Sequence, residues 1–382
     1  MIRLDANATT AMLPEVLDAM LPWLRDGHAN PSGDYASGRR ARAAVEEARA
    51  KFAAWIGAEP DEIVFTSGGT ESVNTALRSF DRLVGQGTAV VSSIEHSAVL
   101  HCAEELGRPV KYAPVSSDGR LDLEKFHALL PGAAMVSVMA ANNETGTIQP
   151  LREVCHMARE RGIPVHSDAV QVAGKSGLDV RHLGADMISF SAHKFHGPPG
   201  VGALYVRRGI RFFPLHFGGS QENGRRAGTE NVAGIVGMAA AAEALGRRSQ
   251  DLAALHLLRD VFESALLEAL PGVLVNGDPV HRLPNTSHLS FAGCEAVELI
   301  RMLDEAGIEC SAGSACMAGT IRPSHVQLAM GIDGARGRGS LRFSFSILNS
   351  MDEARRAAET VRQCVLKLRG MPRGGASLCG VS

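Results

Sequence analysis

The sequence predicts an α/β protein in which a mainly parallel sheet is buried between helices. From about residue 50 to 210, short apolar runs alternate with segments of helical periodicity. This alternation indicates βαβ units, and parallel strands that are covered on both faces are typically continuous apolar runs. After about residue 239 the pattern changes to long helical stretches followed by separate strand candidates, which predicts a second, smaller α+β domain.

Six apolar runs are the strand candidates of the first region. In chain order they are EIVF, TAVVSS, AAMVSVMA, IPVHSD, ADMISFS and GALYVRR. The segments ESVNTALRSF, SAVLHCAEEL and LREVCHMARERG lie between them and carry apolar residues at spacings of three and four, which is typical of amphipathic helices. The alternation predicts a three-layer domain.

The remainder of the chain predicts a different arrangement. A long helical stretch, AAAAEALGRRSQDLAALHLLRDVFESALLEAL, precedes the strand candidates VLVNG, TSHLSFA and SLRFSFS and a last helix, MDEARRAAETVRQCVLKL. We expect a large domain over residues 13–250 and a smaller domain formed by residues 1–12 and 251–370. Residues 371–382 are rich in Gly and Ser, and we expect them to form a mobile tail.

Composition and charge narrow the classes of function. The 382 residues are 45% hydrophobic, which suffices for a substantial core, and their formal charge is -2. No overall basic field is therefore available for direct nucleic-acid binding. Seven cysteines are too sparse for a disulfide framework, and neither a signal peptide nor a membrane-spanning run is recognisable. We expect a cytoplasmic protein without membrane attachment.

The residues that follow the apolar runs are the first place to look for a binding site, because an open parallel sheet binds ligands beyond the carboxyl ends of its strands. Residues 66–72, TSGGTES, follow EIVF and lead into a predicted helix whose free amides favour an anion. The segment lacks the Gly-Lys-Ser/Thr ending of a P-loop and the glycine spacing of a dinucleotide-binding turn. It is either a phosphate cradle or an ordinary helix-capping turn.

Two further segments place reactive residue types at the same expected edge of the sheet. Asp168 ends the run GIPVHSD, where a buried carboxylate needs a cationic partner, unless it only caps a helix. Ser191, His193 and Lys194 lie in the connection between two apolar strands, where a lysine is commonly just solvated. A phosphate cradle, an acid suited to a protonated ring nitrogen and a lysine together favour pyridoxal phosphate.

Motifs along nearly the whole chain resemble those of a known family. They are LDANATT, HANPSG, FTSGGTES, EHSAVL, NNETG, SDAVQ, SFSAHK, GGSQENGRRAGTEN and SAGSAC. In this order and at about this spacing, they are similar to the cysteine desulfurases of the NifS and IscS type, in the class V branch of the fold-type I enzymes that use pyridoxal 5'-phosphate. The resemblance implies a mainly parallel seven-stranded sheet and a homodimer.

The resemblance also implies a set of cofactor-binding residues. Lys194 attaches the cofactor through its amine, and Asp168 pairs with the pyridinium nitrogen. His96 stacks on the ring, and Thr229 comes from the other subunit. The other implied cofactor-binding residues are Gly69, Thr70, Asn143, Gln171, Ser191 and His193.

For the substrate, L-cysteine, the resemblance implies that Arg342 receives the carboxylate, a task that suits the guanidinium fork. Asn30 and Asn143 help to position the same molecule. The freed amine of Lys194 removes the Cα proton, and His96 is the implied proton acceptor for the attacking thiol. We therefore expect Lys194, His96 and Cys316 to be the catalytic residues.

Cys316 decides which reaction the sequence predicts. It lies in SAGSACMAG, a stretch of small residues for which we expect a mobile loop, and it matches the nucleophile of the family. The resemblance implies that Cys316 takes the substrate sulfur as a persulfide, that alanine is released, and that an acceptor protein, as in iron–sulfur cluster assembly, receives the sulfur. Tyr35 and Asn223 depart from common family residues, which leaves the predicted chemistry intact and bears only on substrate entry. The Gly-rich carboxyl end does not resemble the tail with which some relatives dock an iron–sulfur scaffold, so the acceptor is left open.

The other cysteines receive different interpretations. Cys310 follows an apolar helix pattern and is ambiguous, and Cys379 in the tail is interpreted as a passenger. No CxxC pair occurs, and we predict no metal site. Core packing is the predicted role of the remaining four, which are Cys102, Cys155, Cys294 and Cys364.

Alternative functions remain open at this point. A class V aminotransferase, or a lyase acting on selenocysteine or cysteine sulfinate, needs Lys194 and Asp168 but no mobile thiol. A scaffold without catalytic activity, which only binds sulfur-transfer partners, needs neither Lys194 nor Asp168 nor a mobile thiol.

Overall fold

The computed structural model describes residues 1–27, 29–312 and 323–370, so Cys316 and Cys379 lie outside the described residues. No helix in these ranges is both long and apolar enough to span a bilayer. The strands of the described ranges are β1 Ile2–Arg3, β2 Ile63–Thr66, β3 Thr88–Ser92, β4 Val110–Ala113, β5 Ala133–Ser137, β6 Val165–Asp168, β7 Met187–Ser191, β8 Gly202–Val206, β9 Val273–Val275, β10 Thr286–Phe291, β11 Ile308–Glu309, β12 Ser311–Ala312 and β13 Ser340–Ser344.

Helices cover much of the rest, and short 3-10 turns occupy Pro60–Glu62, Ala192–Lys194 and Gln221–Gly224. The α-helices of the described ranges are α1 Pro14–Arg25, α2 Ala36–Ile56, α3 Gly69–Leu83, α4 Ser97–Glu104, α5 Leu123–Leu129, α6 Leu151–Arg159, α7 Val180–Leu183, α8 Val232–Arg247, α9 Ser249–Ala269, α10 Ala296–Glu305, α11 His325–Ala329, α12 Gly334–Arg338 and α13 Met351–Gly370.

A seven-stranded sheet forms the centre of the larger part, with the strand order β2-β8-β7-β6-β5-β3-β4. Strands β3 to β7 run parallel, whereas β8 is antiparallel to both β7 and β2. The connection between β7 and β8, residues 192–201, contains only one short 3-10 turn, and a parallel crossover usually needs a helix. The prediction of a mainly parallel seven-stranded α/β fold is confirmed.

The smaller sheet is antiparallel, with the order β12-β13-β10-β9, and β1 pairs separately with β11. Its apolar core unites the two ends of the described chain, since Leu4 packs in one cluster with Phe262, Phe343 and Val361. A different cluster, which includes Phe52 and other aromatic side chains, lies under the large sheet. The domain boundaries expected from the sequence, 1–12, 13–250 and 251–370, stay a prediction.

The long helical stretch predicted near residue 240 is in fact two helices, α8 and α9, which meet at Arg248. Arg248 has φ -105° and ψ 33°, outside the helical region, so the chain changes direction there. The physical reason is packing, because buried residues of α8 belong to the core of the large sheet and those of α9 to the second core. The spacing of apolar residues within a helix does not reveal into which of the two cores that helix packs.

A buried ion pair fastens helix α2 to strand β2. Two guanidinium nitrogens of Arg49 donate to the two carboxylate oxygens of Glu222 at 2.8 and 2.7 Å, and Glu222 also accepts the backbone N–H of Phe65 at 2.9 Å. Only 4% and 2% of the two side chains are exposed, so neither charge can regain water if its partner is lost.

We expect Arg49→Met to lower the free energy of unfolding by about 3–5 kcal/mol, since it leaves the Glu222 charge buried and unpaired. Urea denaturation measures the difference. Arg49→Met/Glu222→Gln serves as the control, because it removes the buried charge while the amide oxygen of Gln can still accept the Phe65 N–H. Equal stability of Arg49→Met and wild type would contradict this account of the pair.

Candidate active site

A cavity of about 390 Å³ opens where the carboxyl ends of β6 and β7 meet the first turn of α3 and the start of α4. This is the edge at which an open parallel sheet binds ligands. Most of the site residues predicted from the sequence line this single cavity: Gly69, Thr70, His96, Asn143, Asp168, Gln171, Ser191, His193, Lys194 and Arg342.

The first turn of α3 supplies an anion cradle. The helix begins at Gly69 after Gly68, and no side chain caps it, so its first backbone N–H groups are available to a ligand. A Cβ on Gly69 would lie 2.9 Å from Cγ2 of Val170, so a larger residue would displace the opposite wall of the cavity. Ser191 and His193 face the same cavity from the end of β7.

Asp168 lies at the carboxyl end of β6 with only 8% of its surface exposed. Burial raises the pKa of its carboxyl group, whereas the hydrogen bond from the Val170 N–H and the charges of His96 and Lys194 act in the opposite direction. The Val170 N–H donates to Oδ1 at 2.9 Å. A carboxylate in such a place is stabilised by a cation or by a protonated ring nitrogen within the cavity.

Lys194 reaches the cavity from the 3-10 turn after β7. Its Nζ donates to the backbone carbonyl oxygens of Asn7 and Ala8 at 2.8 and 2.5 Å. Burial and the charge of Arg342 lower the pKa of Lys194 to about 8, while Asp168 and Asp5 raise it. Near neutral pH a useful fraction of this amine is therefore unprotonated, as a nucleophile or a base requires.

This lowered pKa predicts how pH controls attachment of a carbonyl ligand to the protein without cofactor. Only the free amine attacks an aldehyde, so below pH 8 the rate should rise roughly tenfold per pH unit and then level off. Stopped-flow absorbance with pyridoxal phosphate measures the rate. A rate that keeps rising to pH 10, as for an unperturbed lysine, would contradict the assigned environment of Lys194.

Arg342 lies on β13 and lines the same cavity as Lys194. Its guanidinium donates to Oδ1 of Asp5 at 2.6 Å and to the backbone carbonyl of Asn143 at 3.0 Å. Only 7% of the residue is exposed, and Nε has no partner among the described residues. The donors left free suit an incoming carboxylate, which a guanidinium binds through two parallel hydrogen bonds.

The remaining cavity residues are oriented by local hydrogen bonds. His96 precedes α4, and its Nδ1 accepts the Ala98 N–H at 3.1 Å, so the proton of the neutral ring lies on Nε2. Nε2 of Gln171 donates to the carbonyl of Asn7 at 3.0 Å. Burial and the nearby charge of Lys194 lower the pKa of His193 to about 4, which leaves its ring neutral at pH 7.

Three residues predicted from the sequence are not among those that line the cavity. Thr229 lines a separate cleft with Glu222 and Arg226, and its expected role belongs to a second subunit. Asn30 is exposed, and its Oδ1 accepts the N–H of Ser32 at 2.9 Å. Cys316 lies outside the described residues. Their roles stay predictions.

The other described cysteines differ in how deeply they are buried. Cys310 is partly buried, and burial raises its pKa to about 12, which disfavours a thiolate. The four cysteines expected to pack in the core are buried and free: Cys102, Cys155, Cys294 and Cys364.

Sequence reasoning missed three supports of the site. The backbone of Asn7 and Ala8 holds Nζ of Lys194, and Asp5 pairs with Arg342. All three residues lie in LDANATT, a motif that contributes to the family resemblance but for which no functional role was predicted. Every residue type has a backbone carbonyl, so no residue in the sequence indicates the contacts of Asn7 and Ala8. The only hint of the Asp5 pair in the sequence is that the motif contains an acidic residue.

The residues of the cavity fit pyridoxal phosphate. The uncapped start of α3 matches a phosphate, the buried carboxylate of Asp168 matches a protonated ring nitrogen, and the partly unprotonated Lys194 matches an aldehyde. These three features converge on one cavity whose size suits a small organic ligand.

Comparison with known proteins supports the same interpretation. Residues 2–356 match the family model described as aminotransferase class-V. A protein named cysteine desulfurase from Cereibacter sphaeroides is 45% identical over 98% of both chains. A solved structure titled NifS-like protein is 36% identical, with a TM-score of 0.89 over 96% of this chain and 99% of that one. Another, titled SspA in complex with cysteine, is 34% identical, with a TM-score of 0.79 over 92% of this chain and all (100%) of that one. The chain belongs to the cysteine desulfurases of the class V aminotransferase family.

Proposed function

We propose that the protein converts L-cysteine to L-alanine and takes the sulfur onto Cys316. The thiol of Cys316 becomes a persulfide, so one L-cysteine and one enzyme thiol give one L-alanine and one enzyme persulfide. The observation that carries the proposal is the meeting of Lys194, Asp168 and Arg342 in one cavity of a chain that belongs to the cysteine desulfurases.

Pyridoxal phosphate, when bound, supplies an aldehyde that takes up the substrate amine and a ring that accepts electrons from Cα. We propose that α3 holds its phosphate through the amides of Gly69 and Thr70, with Ser191 and His193 adding side-chain hydrogen bonds. Asp168 keeps the ring nitrogen protonated. Its burial supports this role, because the carboxylate is costly there unless a positive partner is present.

Lys194 has two tasks in the proposal. It attaches the cofactor through Nζ, and after the substrate amine has displaced it, Nζ removes the proton from Cα. The lowered pKa supports both, since a free amine is needed at each stage. The carbonyls of Asn7 and Ala8 accept hydrogen bonds from Nζ, so the released amine has acceptors to orient it.

Arg342 is the proposed receptor of the substrate carboxylate. It lines the cavity together with Lys194 and keeps donors free beyond those used by Asp5 and Asn143. A solved relative is titled as a complex with cysteine, which supports cysteine as the ligand of this cavity. We propose Asn143 and Asn30 as further substrate contacts, and Asn143 and Gln171 as partners of the cofactor hydroxyl.

The Cys316 thiolate attacks the substrate sulfur in the proposed reaction, and the bond between that sulfur and the substrate Cβ breaks. Cβ keeps the electron pair of that bond and takes a proton, which gives the methyl group of alanine. An unperturbed thiol of pKa about 8.5 is only a few per cent ionised at pH 7, so a proton acceptor is needed. His96 is the proposed acceptor, because it lines the cavity. Nδ1 carries the lone pair of the neutral ring, so it would exchange its hydrogen bond from the Ala98 N–H for the thiol proton. We further propose that His96 stacks on the cofactor ring.

The persulfide then passes to an acceptor protein, for which iron–sulfur cluster assembly is one destination in keeping with the family. We propose a homodimer in which Thr229 of each subunit completes the phosphate site of the other. Thr229 is exposed and lies in a cleft beside the end of β2, and this exposure supports access by a second subunit.

Product analysis tests the proposal against its rivals. The protein loaded with pyridoxal phosphate is incubated with L-cysteine, 2-oxoglutarate and a thiol reductant, and the products are identified. A desulfurase releases alanine and sulfide in equal amounts. Pyruvate would indicate a different lyase, and glutamate formed from 2-oxoglutarate would indicate an aminotransferase. Absence of any turnover would favour a scaffold that only binds partners.

A further inference from the structure

A buried lysine next to the cavity has no role in the proposed reaction. Lys175 lies in the turns that follow β6 and is only 4% exposed. It is not among the described residues that line the cavity, and it lines a separate cleft with Trp55 and Pro284 instead. Burial and the positive charges of Lys194 and Arg342 lower the pKa of Lys175 well below its usual value. A lysine in such a place is costly, which indicates a specific partner.

That partner is the amide of Gln171, a residue that does line the cavity. Nζ of Lys175 donates to Oε1 of Gln171. Nε2 of Gln171 donates to the backbone carbonyl of Asn7 at 3.0 Å, and the same carbonyl accepts from Nζ of Lys194 at 2.8 Å. Hydrogen bonds therefore connect Lys175 to the cavity, although Lys175 does not line it.

These two contacts determine which end of the Gln171 amide faces which neighbour. A carbonyl oxygen only accepts, so Nε2 faces Asn7. Oε1 then faces the amine of Lys175, which can donate whether it is protonated or not. Nε2 carries two protons, of which the carbonyl of Asn7 accepts one. No other described residue accepts the second proton, so it is left for an acceptor within the cavity.

We propose that Lys175 is a positioning residue, which holds the Gln171 amide so that its second N–H donates to the hydroxyl oxygen of the cofactor ring. The inference rests on the proposed function in one respect, the role of Gln171 as a partner of that hydroxyl. Gln171 is only 7% exposed, so without Lys175 its Oε1 becomes a buried acceptor that lacks a donor. Such a group is costly, and the side chain should leave its position to avoid the cost. The ring hydroxyl then loses its donor.

Two analogues of the cofactor test this on the full chain without cofactor. Pyridoxine 5'-phosphate has the phosphate, the ring nitrogen and the ring hydroxyl but no aldehyde, so it binds without attachment to Lys194. Its 3-deoxy analogue also lacks the ring hydroxyl. Calorimetry gives the dissociation constant of each, and the ratio of the two isolates the contribution of the hydroxyl. Since one hydrogen bond is commonly worth about tenfold in affinity, we expect wild type to bind pyridoxine 5'-phosphate about tenfold more tightly.

Lys175→Met should lower that ratio to the value of Gln171→Met, which has no N–H to offer, and the double variant should have the same ratio. A merely structural role of Lys175 would weaken the binding of both analogues together and leave their ratio unchanged. Arg108→Met is the matched control, because Arg108 is another largely buried cation, pairs with Asp81 and does not line the cavity. It should keep the wild-type ratio. Thermal melting of each variant verifies that it is folded.

Gln171→Glu tests the orientation independently of whether Lys175→Met folds. Its carboxylate can accept from Lys175 but has no N–H for the cavity, so its ratio should fall as well. Three results would overturn the inference: a wild-type ratio in Lys175→Met, a wild-type ratio in Gln171→Glu, or equal binding of the two analogues by wild type. None of them depends on sulfur transfer. Failure of the proposed function would be recognised separately, as an absence of alanine formation from L-cysteine.

Discussion

Lys194→Ala is expected to abolish turnover of L-cysteine, lowering the rate by at least about 10⁴-fold, because the variant loses the group that attaches the cofactor and the base that removes the Cα proton. Nζ of Lys194 enters the same cavity as Asp168 and Arg342, and its pKa of about 8 suits both tasks. Alanine formation measures the rate. Borohydride reduction followed by absorbance measures covalent attachment, which should also disappear.

Two controls separate chemistry from folding in this experiment. Lys194→Arg keeps a positive charge near the carbonyls of Asn7 and Ala8 but offers no nucleophilic amine, so it should be as inactive as Lys194→Ala. Lys51→Ala removes a lysine that pairs with Glu47 and Glu243, away from the cavity, and should stay active. A Lys194→Ala protein that retains a borohydride-reducible chromophore would refute the assignment.

Cys316→Ser should retain the bound cofactor and lose sulfur transfer. A serine hydroxyl cannot accept sulfur as a persulfide, and removal of an enzyme nucleophile commonly lowers the rate by about 10³-fold or more. Alanine formation under reductant and the visible absorbance of the cofactor are measured on the same sample. In this variant the cofactor absorbance should equal that of wild type, whereas alanine formation should be lost.

Cysteine variants elsewhere in the chain provide the comparison. Cys310→Ser changes a thiol whose pKa burial raises to about 12, and Cys379→Ser changes the thiol of the last cysteine in the sequence. Both should form alanine at the wild-type rate. If Cys316→Ser matched them, Cys316 would not be the sulfur acceptor.

Much of the fold could be predicted because buried strands are apolar runs. The six runs between residues 50 and 210 correspond to β2, β3, β5, β6, β7 and β8. Strand β4, Val110–Ala113, was missed because it is an edge strand in which Lys111 and an exposed Tyr112 interrupt the apolar pattern. The direction of β8 was not predicted either, since an apolar run does not reveal whether its neighbours are parallel.

Site residues that lie in distinctive motifs could be predicted from the sequence. The groups that hold those side chains in place could not. Asp168, Lys194 and Arg342 have side-chain chemistry that suggests a role, and the structure places all three in one cavity. The carbonyls of Asn7 and Ala8 are common to every residue type, so no sequence pattern marks them. The pair of Asp5 and Arg342 joins positions 337 residues apart, and only the folded chain shows that they meet.

The most direct test of the account is a single turnover without reductant. Protein loaded with pyridoxal phosphate is mixed with L-cysteine in an amount equal to the enzyme, and alanine and protein-bound sulfur are quantified together. The account predicts one alanine for each sulfur added, with the extra sulfur located on Cys316 by peptide mass spectrometry. Alanine formed without sulfur on Cys316, or pyruvate in place of alanine, would contradict it.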